Sequence, residues 1–255
     1  MSNYHPEPYW SDVARRIKAR KGKNVIAGDD EPYYRYKRER FLSLLHEIDF
    51  KDKTVLEIGS GPGGNLKSLL SLSPRKLTGV DISPEMIELA KSNLPDSVDL
   101  IKVNGTKLPF EDKSFDYVFT ATVLQHNTDE TMLLQLMAEL CRVAKEKVFL
   151  FERIEDQITG DELCYGRPVS YYENVCNQHG FQLVGAKWIN IRTSYYVSGA
   201  IRKGLNPKSR VEGEPLNGIS VFLQNLTLSV TRHLDKVFTS RKDVARLEFR
   251  RVKDL

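Results

Sequence analysis

The sequence predicts an α/β protein whose mostly parallel sheet is covered by helices on both faces. From Thr54 onward, short apolar runs alternate with stretches of helical apolar spacing. A glycine-rich turn, residues 59–65, follows the first apolar run and precedes a helical pattern, as in parallel sheets that bind nucleotides. The last segment, VARLEFRRV, alternates apolar and charged residues. That period of two predicts a final strand with one solvent-exposed side, at or near a sheet edge. We expect this strand to run antiparallel to its neighbours.

Two helices are predicted before the sheet. Ser11 is placed to cap a helix that runs to about Arg20. A second helix is predicted over 32–47, with Asp30 as its cap and Pro32 in the first turn, where proline is tolerated.

Seven strands and the intervening helices follow in order. The predicted strands are TVLEIG, KLTGVDI, VDLIKV, FDYVFTA, KVFLFERI, FQLVGAKWI and VARLEFRRV. The predicted helices are GGNLKSLLSL, 84–93, 128–145 and PVSYYENVCNQHG. Ser83 and Pro84 mark a helix start, and Gly180 marks a helix end.

About fifty residues separate the last two strands, and 219–234 within them have helical apolar spacing. We therefore expect a helical cap over 1–50, a cofactor-binding core over 51–192, a helical insertion over 193–242, and the last core strand in 243–255.

Composition excludes several classes of protein. Apolar residues make up 40% of the chain, charged residues make up 28%, and the net charge is +4, which does not by itself indicate a nucleic-acid partner. No apolar run is long enough to span a membrane and no secretory signal is visible, so the expectation is a cytoplasmic protein. The three cysteines lack the spacing of a disulfide framework or a zinc site, so buried thiols and no metal are expected.

The glycine turn indicates an adenosine-type cofactor. Gly59, Gly61 and Gly64 match the pattern G-x-G-x-x-G, which is weak alone. Asp81 ends the next strand, where a carboxylate can accept hydrogen bonds from both ribose hydroxyls.

Four segments, taken in order, resemble the class I S-adenosylmethionine-dependent methyltransferases. They are VLEIGSGPGGN, GVDISPEMIELAK, NGTKLPFEDKSFDYVFTATVLQH and GRPVSYYENVCNQHGFQLV. The resemblance covers about 54–190, with support from 243–252, and is to the branch that contains menaquinone-biosynthesis and many small-molecule and sugar methyltransferases. It implies a Rossmann-like seven-stranded sheet with an antiparallel last strand, and S-adenosylmethionine as cofactor. It also implies methyl transfer, expected on a hydroxyl of a sugar, glycan or metabolite.

The resemblance also implies which residues contact the cofactor. They are Glu57, Gly59, Ser60, Gly61, Asp81, Ile82, Met86, Asn104, Gly105, Thr106, Thr120 and Tyr34. Glu57 would lie near the cationic sulfonium and amino-acid end. Asn104 stands where relatives often have an aspartate and would accept from the adenine amino group through its amide oxygen. Met86 could equally be a core residue.

Two residues are candidate bases for a hydroxyl acceptor. His126 follows the fourth strand, and its reference pKa of about 6.5 suits proton transfer near neutrality. Its alternative role is to cap the next helix. Glu152 ends the fifth strand, and its alternative role is a salt bridge with Arg153.

The acceptor is expected under a cap formed by 1–45 and 193–240, lined by Trp188, Tyr195, Tyr196 and Arg202. The apolar helix in 219–234 could instead contact a membrane or a second subunit, and the protein is expected to be a monomer or a homodimer.

Three other functions compete with this one. A nicotinamide or flavin oxidoreductase is disfavoured by Glu57, because that position is normally apolar before a dinucleotide glycine loop. Methylation of RNA or another macromolecule is disfavoured because the fourth strand ends TATVLQH, not in an Asn/Asp-Pro-Pro-Tyr type of tetrapeptide. A non-catalytic cofactor-binding protein stays open.

Overall fold

The computed structural model of the chain describes residues 5–19, 31–207, 209 and 216–252. Nine strands are described, in chain order β1 Thr54–Ile58, β2 Lys76–Asp81, β3 Val98–Lys102, β4 Phe115–Ala121, β5 Ala144–Ile154, β6 Thr159–Asp161, β7 Cys164–Gly166, β8 Phe181–Trp188 and β9 Asp243–Arg251. Seven of them form one sheet in the order β3-β2-β1-β4-β5-β9-β8. β9 is antiparallel to both of its neighbours, and the other pairs are parallel. The predicted seven-stranded sheet with an antiparallel last strand is confirmed.

Eight α-helices are described. They are α1 Pro6–Ala19, α2 Pro32–His46, α3 Gly64–Leu69, α4 Pro84–Asn93, α5 Glu130–Val143, α6 Val169–Gln178, α7 Arg192–Leu205 and α8 Gly218–Val237. Short 3₁₀ turns cover Leu70–Leu72 and Leu124–His126. The helix predicted over 84–93 is confirmed, and the Ser83 hydroxyl accepts from the backbone N–H of Met86, as an N-cap does.

The sheet separates two apolar cores because neighbouring residues of a strand face opposite sides. Val118 packs with residues of α5 and α6 on one face. Phe119, the next residue, packs with residues of α2 and α3 on the other. The central strands β1, β2, β4 and β5 are buried on both faces, as their mostly apolar sequences predict.

Local predictions at the N-terminus were partly wrong. α1 begins at Pro6, five residues before the predicted cap. Ser11 is buried, and its hydroxyl lies 3.0 Å from that of Ser83, because α1 packs on α4. Glu31 precedes α2 as its N-cap residue and makes no side-chain cap. Asp30, the predicted cap, lies outside the described residues.

The prediction that the charged residues of the last strand face solvent was also wrong at Arg246. This side chain is 7% exposed. It donates to the backbone oxygen of Leu44 at 2.6 Å and pairs with Glu47 at 3.2 Å. The edge strand of the sheet is β8, and β9 lies inside it. The charged side chain of Arg246 on β9 therefore faces α2 rather than solvent.

Two elements were not predicted, namely α7 and the β6–β7 hairpin. The hairpin strands are three residues each, too short and too polar to show a period of two. Cys141 and Cys176 are buried as expected, whereas Cys164, in the hairpin, is only partly buried, and all three thiols are free. Within the described residues, no helix has the length and apolar character needed to cross a bilayer.

Candidate functional site

The carboxyl ends of β1, β2, β4 and β5 meet at one edge of the sheet, because parallel strands end on the same side. The glycine turn lies there. Gly59, Gly61 and Gly63 all have positive φ, at 72°, 51° and 83°, a conformation that only glycine adopts without strain. A Cβ on Gly59 would lie 2.3 Å from Val123 Cγ2, and one on Gly63 2.5 Å from Leu94 Cδ1. Nothing lies within 4 Å of a Cβ on Gly61. Gly61 therefore presents bare backbone to open space, as a cradle for a ligand requires.

Asp81 ties the glycine turn to the start of α4. Its Oδ2 accepts from the backbone N–H of Gly61 at 2.8 Å, and its Oδ1 accepts from that of Ser83 at 2.9 Å. Burial raises the pKa of Asp81, and these backbone donors oppose the rise. Each carboxylate oxygen has a second lone pair, so hydroxyls can still donate to Asp81 while it holds the turn. The predicted ribose residue thus lies beside the glycine cradle.

Glu57 is fully buried, and only one of its two carboxylate oxygens has a hydrogen-bond partner among the described residues. Its Oε1 accepts from Asn65 Nδ2 at 2.6 Å, and Asn65 in turn accepts from Arg38 Nη1 at 2.5 Å. Its Oε2 is buried with no hydrogen-bond partner among the described residues. Burial raises the pKa of Glu57 to about 8. An unpaired buried acceptor is costly, so this oxygen fits a cationic group such as an amino acid's ammonium.

The residues predicted for the adenine side lie at the ends of β2 and β3. A Cβ on Gly105 would lie 2.8 Å from Ile82 Cδ1, so these two residues are in contact. Met86 is buried in a small cluster with Ala14 and Ile17 of α1, which favours its alternative role as a core residue.

Asn104 departs from its predicted role. It is exposed, and its Oδ1 accepts from the backbone N–H groups of Thr106 and Lys107 at 3.2 and 3.1 Å. Both lone pairs of the amide oxygen are engaged in this turn. The structure gives the amide a turn-forming role, and Thr106 contributes its backbone N–H to that turn.

Glu152 anchors the turn that follows β4. Its carboxylate accepts from Thr120 Oγ1 at 2.8 Å and from the backbone N–H groups of Val123 and Gln125, both at 3.1 Å. It is fully buried, and burial raises its pKa against these donors. The expected role as a base finds no support, because these donors occupy the carboxylate and no solvent reaches it. The alternative salt bridge is also absent, since Arg153 pairs with Glu155 at 3.1 Å.

Arg167 holds the same turn from the other side. Its guanidinium donates to the backbone oxygens of Leu124 and Asn127 at 3.0 and 2.7 Å, and the side chain is 1% exposed. Glu152 thus accepts from backbone N–H groups of the turn, and Arg167 donates to its backbone C=O groups. We call residues 122–127 with these two side chains the clamped turn.

His126 lies on the clamped turn, in an orientation suited to accept a proton. Its Nδ1 is 2.8 Å from the backbone oxygen of Leu163, in the β6–β7 hairpin. A carbonyl can only accept, so Nδ1 carries the proton and Nε2 has the lone pair in the neutral ring. The Gln125 amide nitrogen lies 3.2 Å from Nε2. The unpredicted hairpin is therefore what sets the histidine tautomer.

α1 crosses this edge of the sheet. Trp10 packs edge-on to His126, with ring centroids 5.0 Å apart, while Ser11 contacts Ser83 at the end of β2. One helix therefore reaches from the Asp81 side of the site to the His126 side.

Tyr34 lies at the junction of α2 with α7. Arg202 Nη1 is 3.3 Å from the Tyr34 hydroxyl, and the guanidinium stacks over the ring. Arg202 also pairs with Glu31 at 2.9 Å. Tyr33 is more deeply buried, its hydroxyl has no hydrogen-bond partner among the described residues, and burial strongly raises its pKa. The contacts of Tyr34 are thus with the insertion, not with the glycine turn.

The insertion packs on α2 as a helical hairpin of α7 and α8. Tyr195 and Tyr196, expected to line the acceptor site, are more than half exposed. Trp188 is partly buried beside Arg241. Within the described part of the chain, no group of histidine, cysteine and carboxylate side chains is arranged to hold a metal ion.

The site thus combines the glycine turn, the buried carboxylate of Asp81 at the end of the next strand and His126 on the turn after β4. Residues 55–147 match the family model of a methyltransferase domain. Demethylmenaquinone methyltransferase of Chlorobaculum tepidum is 28% identical over 137 residues, which are 54% of this chain and 45% of that protein. The O-methyltransferase cnsE of Penicillium expansum is 26% identical over 211 residues, 76% of this chain and 71% of that protein.

The fold is also that of a solved structure, the [4+2]-cyclase SpnF. It has a TM-score of 0.67 and 14% identity, with 97% of this chain and 96% of that chain covered. The match of residues 55–147 to a methyltransferase domain, together with the similarity to curated methyltransferases, indicates S-adenosylmethionine as the cofactor. The chain spans about half the length of the first curated relatives that it matches.

Sequence reasoning missed three residues of the site. Asn65 and Arg38 join Glu57 through contacts between α3, α2 and β1, and Arg167 reaches the clamped turn from the start of α6. A polar residue in the first turn of α3, just after the glycines, was a local signal for Asn65. No local signal distinguishes Arg38 or Arg167 from the many other basic residues.

Proposed function

We propose that the protein transfers the methyl group of S-adenosylmethionine to a hydroxyl of a small molecule, such as a sugar or another metabolite. The cofactor would lie along Gly59–Gly61, with its ribose on Asp81 and its amino-acid end toward Glu57. The bound cofactor supplies an activated methyl group on a sulfonium. The chain's own residues then have to orient the acceptor, exclude water and take the hydroxyl proton.

The orientation of His126 carries this proposal. Its Nδ1 proton is held by the Leu163 carbonyl, so Nε2 is the nitrogen that would take the hydroxyl proton, in place of its contact with the Gln125 amide. The clamped turn, which carries His126, adjoins the glycine cradle, because Val123 of this turn packs directly against Gly59. A carbon acceptor activated elsewhere would not need a base here, whereas a hydroxyl gains from one.

The named relatives support a methyltransferase and leave the acceptor open. One is named an O-methyltransferase, which favours a hydroxyl, and another acts by its name on demethylmenaquinone. A protein of the same fold is titled a cyclase, so cofactor binding and methyl transfer need separate tests. We further propose a small-molecule acceptor rather than a nucleic acid, a monomer or homodimer, and a cytoplasmic location.

Cofactor binding is tested by thermal unfolding with ligands. A ligand at about a hundred times its dissociation constant adds about 2.7 kcal/mol to the folded state, which raises the melting temperature of a chain this size by several degrees. S-adenosylhomocysteine should give this rise and NAD should not. Asp81→Ala should greatly reduce it. A rise with NAD alone would overturn the cofactor assignment.

Methyl transfer is tested with cofactor labelled in the methyl group and a panel of hydroxylated sugars and metabolites. His126→Gln should lower kcat by about a hundredfold or more, with S-adenosylhomocysteine binding unchanged. His179→Gln, in the turn after α6, is the matched control and should keep full activity. Equal rates for both variants would remove His126 as the base. Cofactor binding without transfer to any acceptor would favour a binding protein.

A further inference from the structure

Helix α8 faces the protein with its polar side. Its buried residues are Ser220, Gln224, Leu228, Thr231 and Asp235, of which only Leu228 is apolar. Asp235 is 2% exposed and accepts from Ser194 Oγ and from the backbone N–H of Thr193, both at 2.6 Å. These bonds to the start of α7 fix the rotation of α8 about its axis, so the orientation is specific.

The outward side of α8 is a continuous apolar stripe. The exposed fractions are 61% for Ile219, 64% for Phe222, 58% for Leu226, 60% for Val230, 37% for Leu234 and 72% for Val237. We call these six residues the α8 stripe. Spacings of three and four residues place them on one side of the helix, along roughly 30 Å of its length. Isolated exposed apolar residues are common, but a contiguous patch of this length marks an interaction surface.

The surroundings of the α8 stripe are basic. Asp235 is the single carboxylate in α7 and α8, and it is buried, whereas Arg192, Lys203, His233 and Lys236 are exposed. A groove of about 260 Å³ lies between α8 and the start of α2, lined by Pro32, Arg35, Asn225, Leu228, Ser229 and Arg232. Arg232 also pairs with Glu39 at 3.2 Å. The stripe thus combines apolar side chains with cations on the same two helices, and the one carboxylate within Arg192–Leu205 and Gly218–Val237 is buried.

We propose that the α8 stripe docks the protein on the surface of an anionic lipid bilayer. The apolar side chains enter the boundary between headgroups and acyl chains, and the cations of α7 and α8 meet lipid phosphates. An apolar side flanked by basic residues is typical of helices that lie in a membrane interface. A second copy of the chain is a poorer partner, because a twofold contact would set the basic residues of α7 and α8 against themselves, with no exposed acid in either described helix to oppose them.

Flotation of the full chain with vesicles tests the proposal. The protein should bind vesicles of phosphatidylcholine mixed with phosphatidylglycerol, and should bind pure phosphatidylcholine vesicles much less. The triple variant Phe222→Ser/Leu226→Ser/Val230→Ser should reduce binding at least about tenfold. The double variant Ile158→Ser/Val184→Ser changes two apolar residues of similar exposure, 53% and 50%, that lie outside the α7–α8 hairpin. This control should bind vesicles as the unchanged protein does.

Two further experiments test the contributions of charge and of self-association. Lys203→Glu/Lys236→Glu should weaken binding to the anionic vesicles, and so should added salt. His126→Gln should bind vesicles normally, so failure of methyl transfer and failure of docking are distinguishable. Equal binding by the triple variant, or no binding to anionic vesicles, would overturn the proposal. A dimer in sedimentation that the triple variant dissociates would instead assign the stripe to a second copy.

Discussion

Three buried carboxylates at the carboxyl edge of the sheet differ in what they bind. Asp81 and Glu152 accept from backbone N–H groups and thereby hold two turns in place. Glu57 accepts from one amide and leaves its second oxygen without a partner among the described residues. Burial alone therefore does not show how fully a carboxylate is satisfied, because these three differ in the number of donors at their oxygens.

Two glycines of the turn should respond differently to the same substitution. Gly59→Ala places a methyl group against Val123 and should cost at least about 2 kcal/mol of unfolding free energy, through the clash and the positive φ. Gly61→Ala meets no neighbouring atom, so its cost is about 1 kcal/mol from backbone strain alone. Urea unfolding measures both.

The same pair separates folding from binding. If the cofactor runs along Gly61, then Gly61→Ala should weaken S-adenosylhomocysteine binding at least about tenfold in calorimetry, because the methyl group occupies the cradle. Unchanged affinity in a folded Gly61→Ala protein would contradict the placement of the cofactor.

At the scale of elements, the site is assembled by segments that contribute no catalytic group themselves. The β6–β7 hairpin orients His126, α6 begins beside Arg167, which holds the clamped turn, and α1 lies across the opening. α1 reaches the rest of the protein through a small apolar cluster, the Ser11–Ser83 contact and ion pairs such as Lys102–Glu7. A helix with so few buried contacts can open at low cost.

α1 should therefore report cofactor binding. The chain has two tryptophans, and Trp188→Phe leaves Trp10 as the only one. Addition of S-adenosylhomocysteine should shift the emission of Trp10 in this variant, because the ligand would lie between α1 and the strand ends. Trp10→Phe, which retains Trp188 beside Arg241, is the control and should show little change. The reverse result would place the ligand away from α1.

At the scale of the whole molecule, the buried Glu57 links stability to pH. Its pKa is raised to about 8 by burial, above the value of about 4.3 expected in the unfolded chain. The folded protein therefore holds a proton that the unfolded chain releases between these values. The stability from this group is complete below the unfolded pKa and is lost as pH rises through about 8.

The free energy of unfolding without ligand should thus fall between about pH 4.3 and about pH 8, and the contribution of Glu57 should level off above that. Glu57→Gln carries no titrating proton and should flatten this fall, becoming the more stable protein at the alkaline end. Urea titrations across the range measure it. Glu88→Gln, at an exposed residue paired with Lys91, is the control and should follow the unchanged protein. Parallel curves for all three would contradict the assignment.

Much of the fold could be predicted because its signals are local. The seven strands, the helix capped by Ser83 and the end at Gly180 each depend on residues a few positions apart. The glycine turn and Asp81 likewise come from one strand–turn–helix segment and the next strand end. The site was predicted less completely, since Asn104 forms a turn, Glu152 is an anchor and Tyr34 contacts Arg202.

The sequence by itself determined the α/β class, the succession of strands and helices along the chain and the glycine turn, because periodicity and turn chemistry act between near neighbours. Only the tertiary structure decided that Arg38 supports Glu57 through Asn65, that Arg167 holds the turn carrying His126, and that α8 turns its polar side inward. Each of these depends on partners distant along the chain. A buried polar group is stabilised by whichever donor the fold brings to it, and the local sequence does not specify that donor.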